Sequence, residues 1–130
     1  MPRQKTAILT EREAEIMSVL WDVEAGTAED IRLRLTGEPH DSTVRTLLRV
    51  LVSKGHVVVD SNVRPATYQA RVKQTTVRKK ATRDIVKRFF GGSAEALVLH
   101  LLENDGLSLQ QIKLLESKYR RRTNERKSDR

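Results

Sequence analysis

The stretch 40-HDSTVRTLLRVLVSKGHVVVD-60 decides the fold. Val44, Leu47, Leu48 and Leu51 fall at i, i+3, i+4 and i+7, the spacing of one buried helical stripe. Ser42, Arg45, Thr46, Arg49 and Ser53 fall on the opposite face, and no acid occurs between Ser42 and Val59. Solvent-facing helices usually mix both signs of charge, so a face of hydroxyls and guanidiniums implies an anionic partner. The spacing predicts a helix capped by Asp41 or Ser42 and ended by Lys54-Gly55, with Gly55 in the left-handed position after the cap.

Upstream, Thr10-Glu11-Arg12-Glu13 has the form of a capping box, with Leu9 placed to staple onto Ala14. Ile16, Val19, Leu20 and Val23 continue at helical spacing up to Gly26. Thr27 caps a short second helix with Ala28, Ile31 and Leu35 on one side. Thr36-Gly37-Glu38-Pro39-His40 is a turn rich in breakers. Downstream the period changes to two. His56–Asp60 and Ala66–Val72 are β-rich runs, joined by Ser61-Asn62-Val63-Arg64-Pro65, so a hairpin with Arg64 near its tip is expected. A minimal strand near Ala25–Thr27 completes a winged helix-turn-helix.

From Thr75 the pattern is helical again. Val77, Ala81, Ile85 and Phe89 step by four. Gly91-Gly92 interrupts, and Ser93 caps a helix carrying Ala94, Leu97, Val98, Leu101 and Leu102. A second capping box, Ser108 with Gln111, opens a helix carrying Ile112, Leu115 and Tyr119. The expected fold is therefore mainly α with a small β-hairpin. A winged-helix domain spans 1–74, a helical dimerisation domain 75–119 and a basic flexible tail 120–130.

Charge divides along the chain. Residues 11–41 carry three arginines against nine acids, whereas residues 42–75 carry six Lys/Arg against one acid, within a total of +8. With no cysteine among 130 residues, disulfides, thiolate metal sites and cysteine nucleophiles are excluded. His40, His56 and His100 are too scattered to indicate a metal site. Phosphate loops, HExxH and nucleophile settings are absent, so neither an enzyme nor a cofactor is expected. No apolar run reaches bilayer length and the start lacks a signal-peptide core, so a cytoplasmic protein is expected.

A third helix of this kind lies in the major groove, where arginine and small hydroxyl residues read base edges and phosphates while acids would be repelled. Ser42, Thr43, Arg45, Thr46, Arg49 and Arg64 are the candidate contacts to double-stranded DNA. Lys54, Arg71 and Lys73 are weaker phosphate candidates. One winged helix reads few base pairs, so a two-fold dimer is expected. Leu97, Val98, Leu101, Leu102, Leu109, Ile112, Leu115 and Tyr119 offer the apolar surface for it. An effector-sensing regulator and a protein-binding winged helix are the competing functions.

The strings 9-LTEREAEIMSVLW-21, 42-STVRTLLRVLVSKGHV-57, 89-FFGGSAEALVLHLLE-103 and 106-GLSLQQIKLLE-116 resemble the penicillinase-repressor family of bacterial transcription regulators. The run Thr43-Val44-Arg45-Thr46-Leu47, followed by the Lys54-Gly55 that opens the wing, carries the resemblance best. It implies a homodimeric repressor binding palindromic operators with TACA-type half-sites. It also implies release by proteolysis in the dimerisation domain, made or triggered by a membrane-bound sensor metalloprotease. Thr43, Arg45 and Thr46 match the family's recognition helix. Ser42 stands where some members have lysine, Arg49 where threonine is common and Arg64 where lysine is usual. His100-Leu101 stands where those members have the scissile Asn-Phe pair. The copper-responsive members' C-terminal cysteines have no counterpart here.

Overall fold

The computed structural model describes residues 9–104 and 106–128. Residues 1–8, on which the absence of a leader was read, and residues 129–130 of the expected tail lie outside the described residues. The chain divides into two compact units between Ala81 and Thr82.

The first unit is the winged helix-turn-helix. In chain order it contains α1 (Glu11–Val23), β1 (Gly26–Thr27), α2 (Ala28–Arg34), α3 (Asp41–Ser53), β2 (Val57–Asp60) and β3 (Thr67–Ala70). The strands form one antiparallel sheet in the order β1-β3-β2. Val57 pairs with Ala70 and Asp60 with Thr67, while Gly26 of the minimal strand pairs with Tyr68. The strands are shorter than the β-rich runs of the sequence, although Arg71 N–H still donates to the His56 carbonyl at 2.8 Å just beyond them.

The core is Ile16, Met17 and Leu20 of α1, Ala28, Ile31 and Leu35 of the α2 segment, Val44, Leu48 and Leu51 of α3, and Val57 of β2. Leu47 is only half-buried, so the α3 stripe is narrower than its spacing predicts. Leu9 packs against this core from outside the α1 cap.

Local chemistry sets the element ends. The Thr10 hydroxyl accepts from Glu13 N–H at 3.1 Å, and Glu13 accepts from Thr10 N–H at 2.9 Å, closing the expected capping box. Thr27 and Asp30 close another at 3.0 Å each way. α1 ends at Val23, with the positive φ of 72° at Glu24 rather than at Gly26. At the end of α3, Gly55 adopts φ 84°, which L side chains rarely adopt. Gly55 N–H then donates to Val52 and His56 N–H to Leu51, the paired bonds of a Schellman stop that turns the chain into the wing.

One expectation at α3 is corrected. The cap is His40, with no side-chain capping bond, and Asp41 is the first helical residue. Asp and Ser are the stronger capping residues, so the sequence signal placed the boundary one or two residues late.

Two long-range polar clamps hold α1, one to the end of α3 and one to the turn after α2. Glu13, 3 % exposed, receives Lys54 Nζ at 3.0 Å. Burial pushes its carboxyl up, but Thr10 N–H and the Lys54 ammonium outweigh this and lower it overall. Glu15 accepts from Thr36 N–H at 2.7 Å, and Arg12 donates to both Glu15 and the Thr36 carbonyl. These bonds, that of Thr36 N–H first, hold the Glu15 carboxyl down at about 2, from an ordinary value of 4.5. A depressed carboxyl stabilises the fold fully above its unfolded value and loses that contribution as pH falls through its folded one. Acidification between 4.5 and about 2 should therefore loosen the helix-turn-helix turn. The protection of the Thr36 amide, its exchange rate compared with that of an unfolded chain at the same pH, should fall over that range in the wild type. In Glu15→Gln that protection should be low already at neutral pH and should not fall further with acid; unchanged protection in the variant would refute the clamp.

The second unit is helical. α4 (Gln74–Phe89) begins one residue before the expected start of the helical domain at 75, although its first two turns belong with the winged unit. α5 (Ala94–Glu103) is capped by Ser93, whose hydroxyl accepts from Ala96 N–H at 3.0 Å. The Ser108–Gln111 capping box precedes α6 (Leu109–Ser128). α6 continues through the residues expected as a flexible tail from 120. Arg, Lys and Glu are good helix formers, and Arg120 pairs with Glu116 at 2.9 Å one turn earlier, so the run stays helical without an apolar stripe.

Candidate nucleic-acid interface

The three buried residues of α3 hold its opposite face outward. Ser42, Thr43, Arg45, Thr46, Arg49 and Ser53 are all exposed. Ser42, Arg45, Thr46, Arg49 and Ser53 fall at i, i+3, i+4, i+7 and i+11, so they form one ridge along the helix. Arg64 is exposed in the loop between β2 and β3. The sequence thus placed these six side chains on solvent-facing positions of α3 and the wing loop. They leave an exposed face of hydroxyls and two guanidiniums on α3, with a third guanidinium, that of Arg64, on the wing loop.

Two features were missed. The N-terminal end of the ridge is not free of acid. Asp41 Oδ2 accepts from Arg45 Nε at 2.8 Å, with both side chains 53 % exposed. The Arg45 guanidinium is held above its ordinary value by that bond first, then by the Asp41 charge, with Tyr68 of β3 and Glu29 of α2 adding to it. Glu29 itself is chelated by Arg32 through two bonds of 2.9 and 2.8 Å. Spacing alone signalled the Asp41–Arg45 pair, since acid-to-base at i, i+4 is the favoured helical order.

The second feature is Lys54. Its ammonium is engaged by buried Glu13, a bond within the fold that its reading as a weaker phosphate candidate did not include. Arg71 and Lys73 remain exposed. Trp21 donates from Nε1 to the Val72 carbonyl at 2.9 Å, so it ties α1 to the chain leaving the wing rather than presenting a ring to a ligand. Among the described residues, no group of three His, Asp or Glu side chains gathers as a metal would need. Among the described residues, no helix is long and apolar enough to cross a membrane.

The second unit has the opposite character. Among its described side chains none is buried. Of the residues expected at a subunit interface, Leu97, Leu102 and Ile112 are half-buried, while Val98, Leu101, Leu109, Leu115 and Tyr119 are exposed. Ile85, Phe89, Leu99 and Leu114 are exposed too, though the sequence reading did not place them there. Such a density of uncovered large apolar side chains is uncommon on a monomer.

Comparison with known proteins agrees with this architecture. The profile of the family described as Penicillinase repressor matches residues 9–121. The chain is 24% identical over 115 residues to the methicillin resistance regulatory protein MecI of Staphylococcus aureus (strain N315), covering 87% of this chain and 94% of that relative. It is 25% identical over 111 residues to the penicillinase repressor of Bacillus licheniformis, covering 84% and 87%. An uncharacterized 16.5 kDa protein of Latilactobacillus sakei is 27% identical over 117 residues, covering 84% and 80%. The matched span takes in the α3 ridge, the wing and all of α5, and the chain belongs to the penicillinase repressor family of transcriptional repressors.

Proposed function

We propose that the protein represses transcription as a homodimer that grips a two-fold operator in double-stranded DNA, one winged helix per half-site. The observation that carries this reading is the α3 ridge, exposed along its length and acid-free from Ser42 to its end. Arg45 and Arg49 supply donors for base edges or phosphates, Ser42, Thr43 and Thr46 supply short hydroxyls, and Arg64 reaches the flanking backbone from the wing. The uncovered apolar side chains of α5 and α6 support self-association, with Leu97, Val98, Leu101, Leu102, Ile112, Leu115 and Tyr119 at the contact. Two protomers then present two ridges at a fixed spacing.

Release follows if this contact is cut. His100 and Leu101 lie on α5, with the His100 carbonyl receiving Asn104 N–H and the Leu101 carbonyl receiving Gly106 and Leu107 N–H. Proteases take their substrates extended, so cleavage here by a membrane-bound sensor metalloprotease would require the end of α5 to open first. Cutting it would leave monomers with a single half-site grip.

Selection of bound sequences from random duplexes tests the reading. A two-fold motif supports it, and no enrichment contradicts it. Affinity should fall steeply with salt as phosphate neutralisation releases counterions, which a protein-binding winged helix would not show with DNA. On the selected duplex, Arg45→Ala should weaken binding roughly ten- to hundredfold and relax the preference at one base pair per half-site. Equal weakening on all duplexes would reduce Arg45 to a phosphate contact.

A further inference from the structure

We propose that Asp41 is the residue that aims Arg45, presenting its terminal Nη pair end-on to a guanine and denying it to phosphate. The inference rests on the reading of α3 as the helix that enters the groove. Asp41 occupies the first position of α3, and the N-terminal residues of a recognition helix are those that meet base edges. Its Oδ2 takes Arg45 Nε at 2.8 Å, the only side-chain hydrogen bond of Arg45 among the described residues. The Nη nitrogens are thus left for a ligand. An arginine needs two parallel N–H groups to recognise guanine O6 and N7, and a carboxylate on Nε leaves the Nη pair as that fork.

The pair also restricts motion. A free arginine on an exposed ridge samples many rotamers and can swing to the nearest phosphate, which carries no sequence information. Tethered one turn back to Asp41, its guanidinium is held near the N-terminal end of the ridge. The Asp41 carboxylate, with Glu29 of α2 in electrostatic reach of Arg45, repels phosphates from that end. Asp41 is therefore a positioning residue. It lowers affinity for DNA in general while raising discrimination.

The test compares wild-type protein, Asp41→Asn and Asp41→Glu on the selected duplex, on that duplex with each guanine pair replaced in turn, and on a scrambled duplex. An exposed i, i+4 pair contributes little to folding, so both variants should remain folded, which circular dichroism verifies. Asp41→Asn should lose about tenfold of its preference for guanine at one position per half-site. It should also bind the scrambled duplex more tightly than wild type. Asp41→Glu, which can still pair with Arg45 one turn away, should recover part of the preference. Wild type and Asp41→Asn with identical base preferences would overturn the inference while leaving the DNA reading intact. If wild type itself fails to separate selected from scrambled duplex, the reading of α3 fails and the inference fails with it.

Discussion

Leu115→Glu should convert the proposed dimer to monomers and lower affinity for the proposed two-fold operator by about two to four orders of magnitude, because the second half-site contact is then no longer intramolecular. Leu115 lies on α6 and is 47 % exposed in the single chain, so a charge there disturbs little within its own subunit. Between two subunits the same charge would be desolvated without a partner, which is costly. Val98→Glu on α5 should act alike, and its agreement with Leu115→Glu would separate loss of the interface from a local defect. Sedimentation velocity reads the assembly state, and circular dichroism checks that the helices persist. A dimer surviving both changes would refute the assignment of this face.

Leu48→Ala should destabilise the winged unit by about 2–5 kcal/mol through lost burial and the cavity left behind. Leu48 is fully buried on α3, between the stripe residues Val44 and Leu51, directly behind the exposed ridge. Small domains have only about 5–15 kcal/mol in total, so this one change should consume a large part of it. The loss of DNA affinity should then track the unfolded fraction, and base preference should be unchanged. Leu33→Ala on α2, where the side chain is 67 % exposed, is the control and should shift stability by less than about 0.5 kcal/mol. A Leu48→Ala protein with wild-type unfolding would mean that α3 is not anchored by this stripe.

The elements that rest on local chemistry were legible in the sequence. The α3 stripe shows because Val44, Leu48 and Leu51 repeat at helical spacing. The wing shows because Val57-Val58-Val59 is β-branched and bounded by turn residues. The caps at Thr10, Thr27, Ser93 and Ser108 show because hydroxyl-to-N–H bonds operate within four residues. What stayed hidden involves partners or competing forces. Lys54 meets Glu13 across 41 positions of sequence, and no local pattern announces that bond. Asp41 was read as a cap because Asp suits that role, whereas in the fold its carboxylate turns to Arg45 and leaves His40 to cap without a side chain. The helix through Arg120–Arg122 was hidden because polar residues of high helix propensity carry no apolar period.

The central claim is that the α3 ridge enters the major groove of duplex DNA twice per assembly. Protection of guanine N7 from methylation reports major-groove occupancy directly. On the selected duplex the account predicts two protected clusters related by a two-fold axis, about one helical turn or a multiple of it apart, each lost in Arg45→Ala. Tight, salt-sensitive binding with every guanine N7 still open to methylation would contradict it.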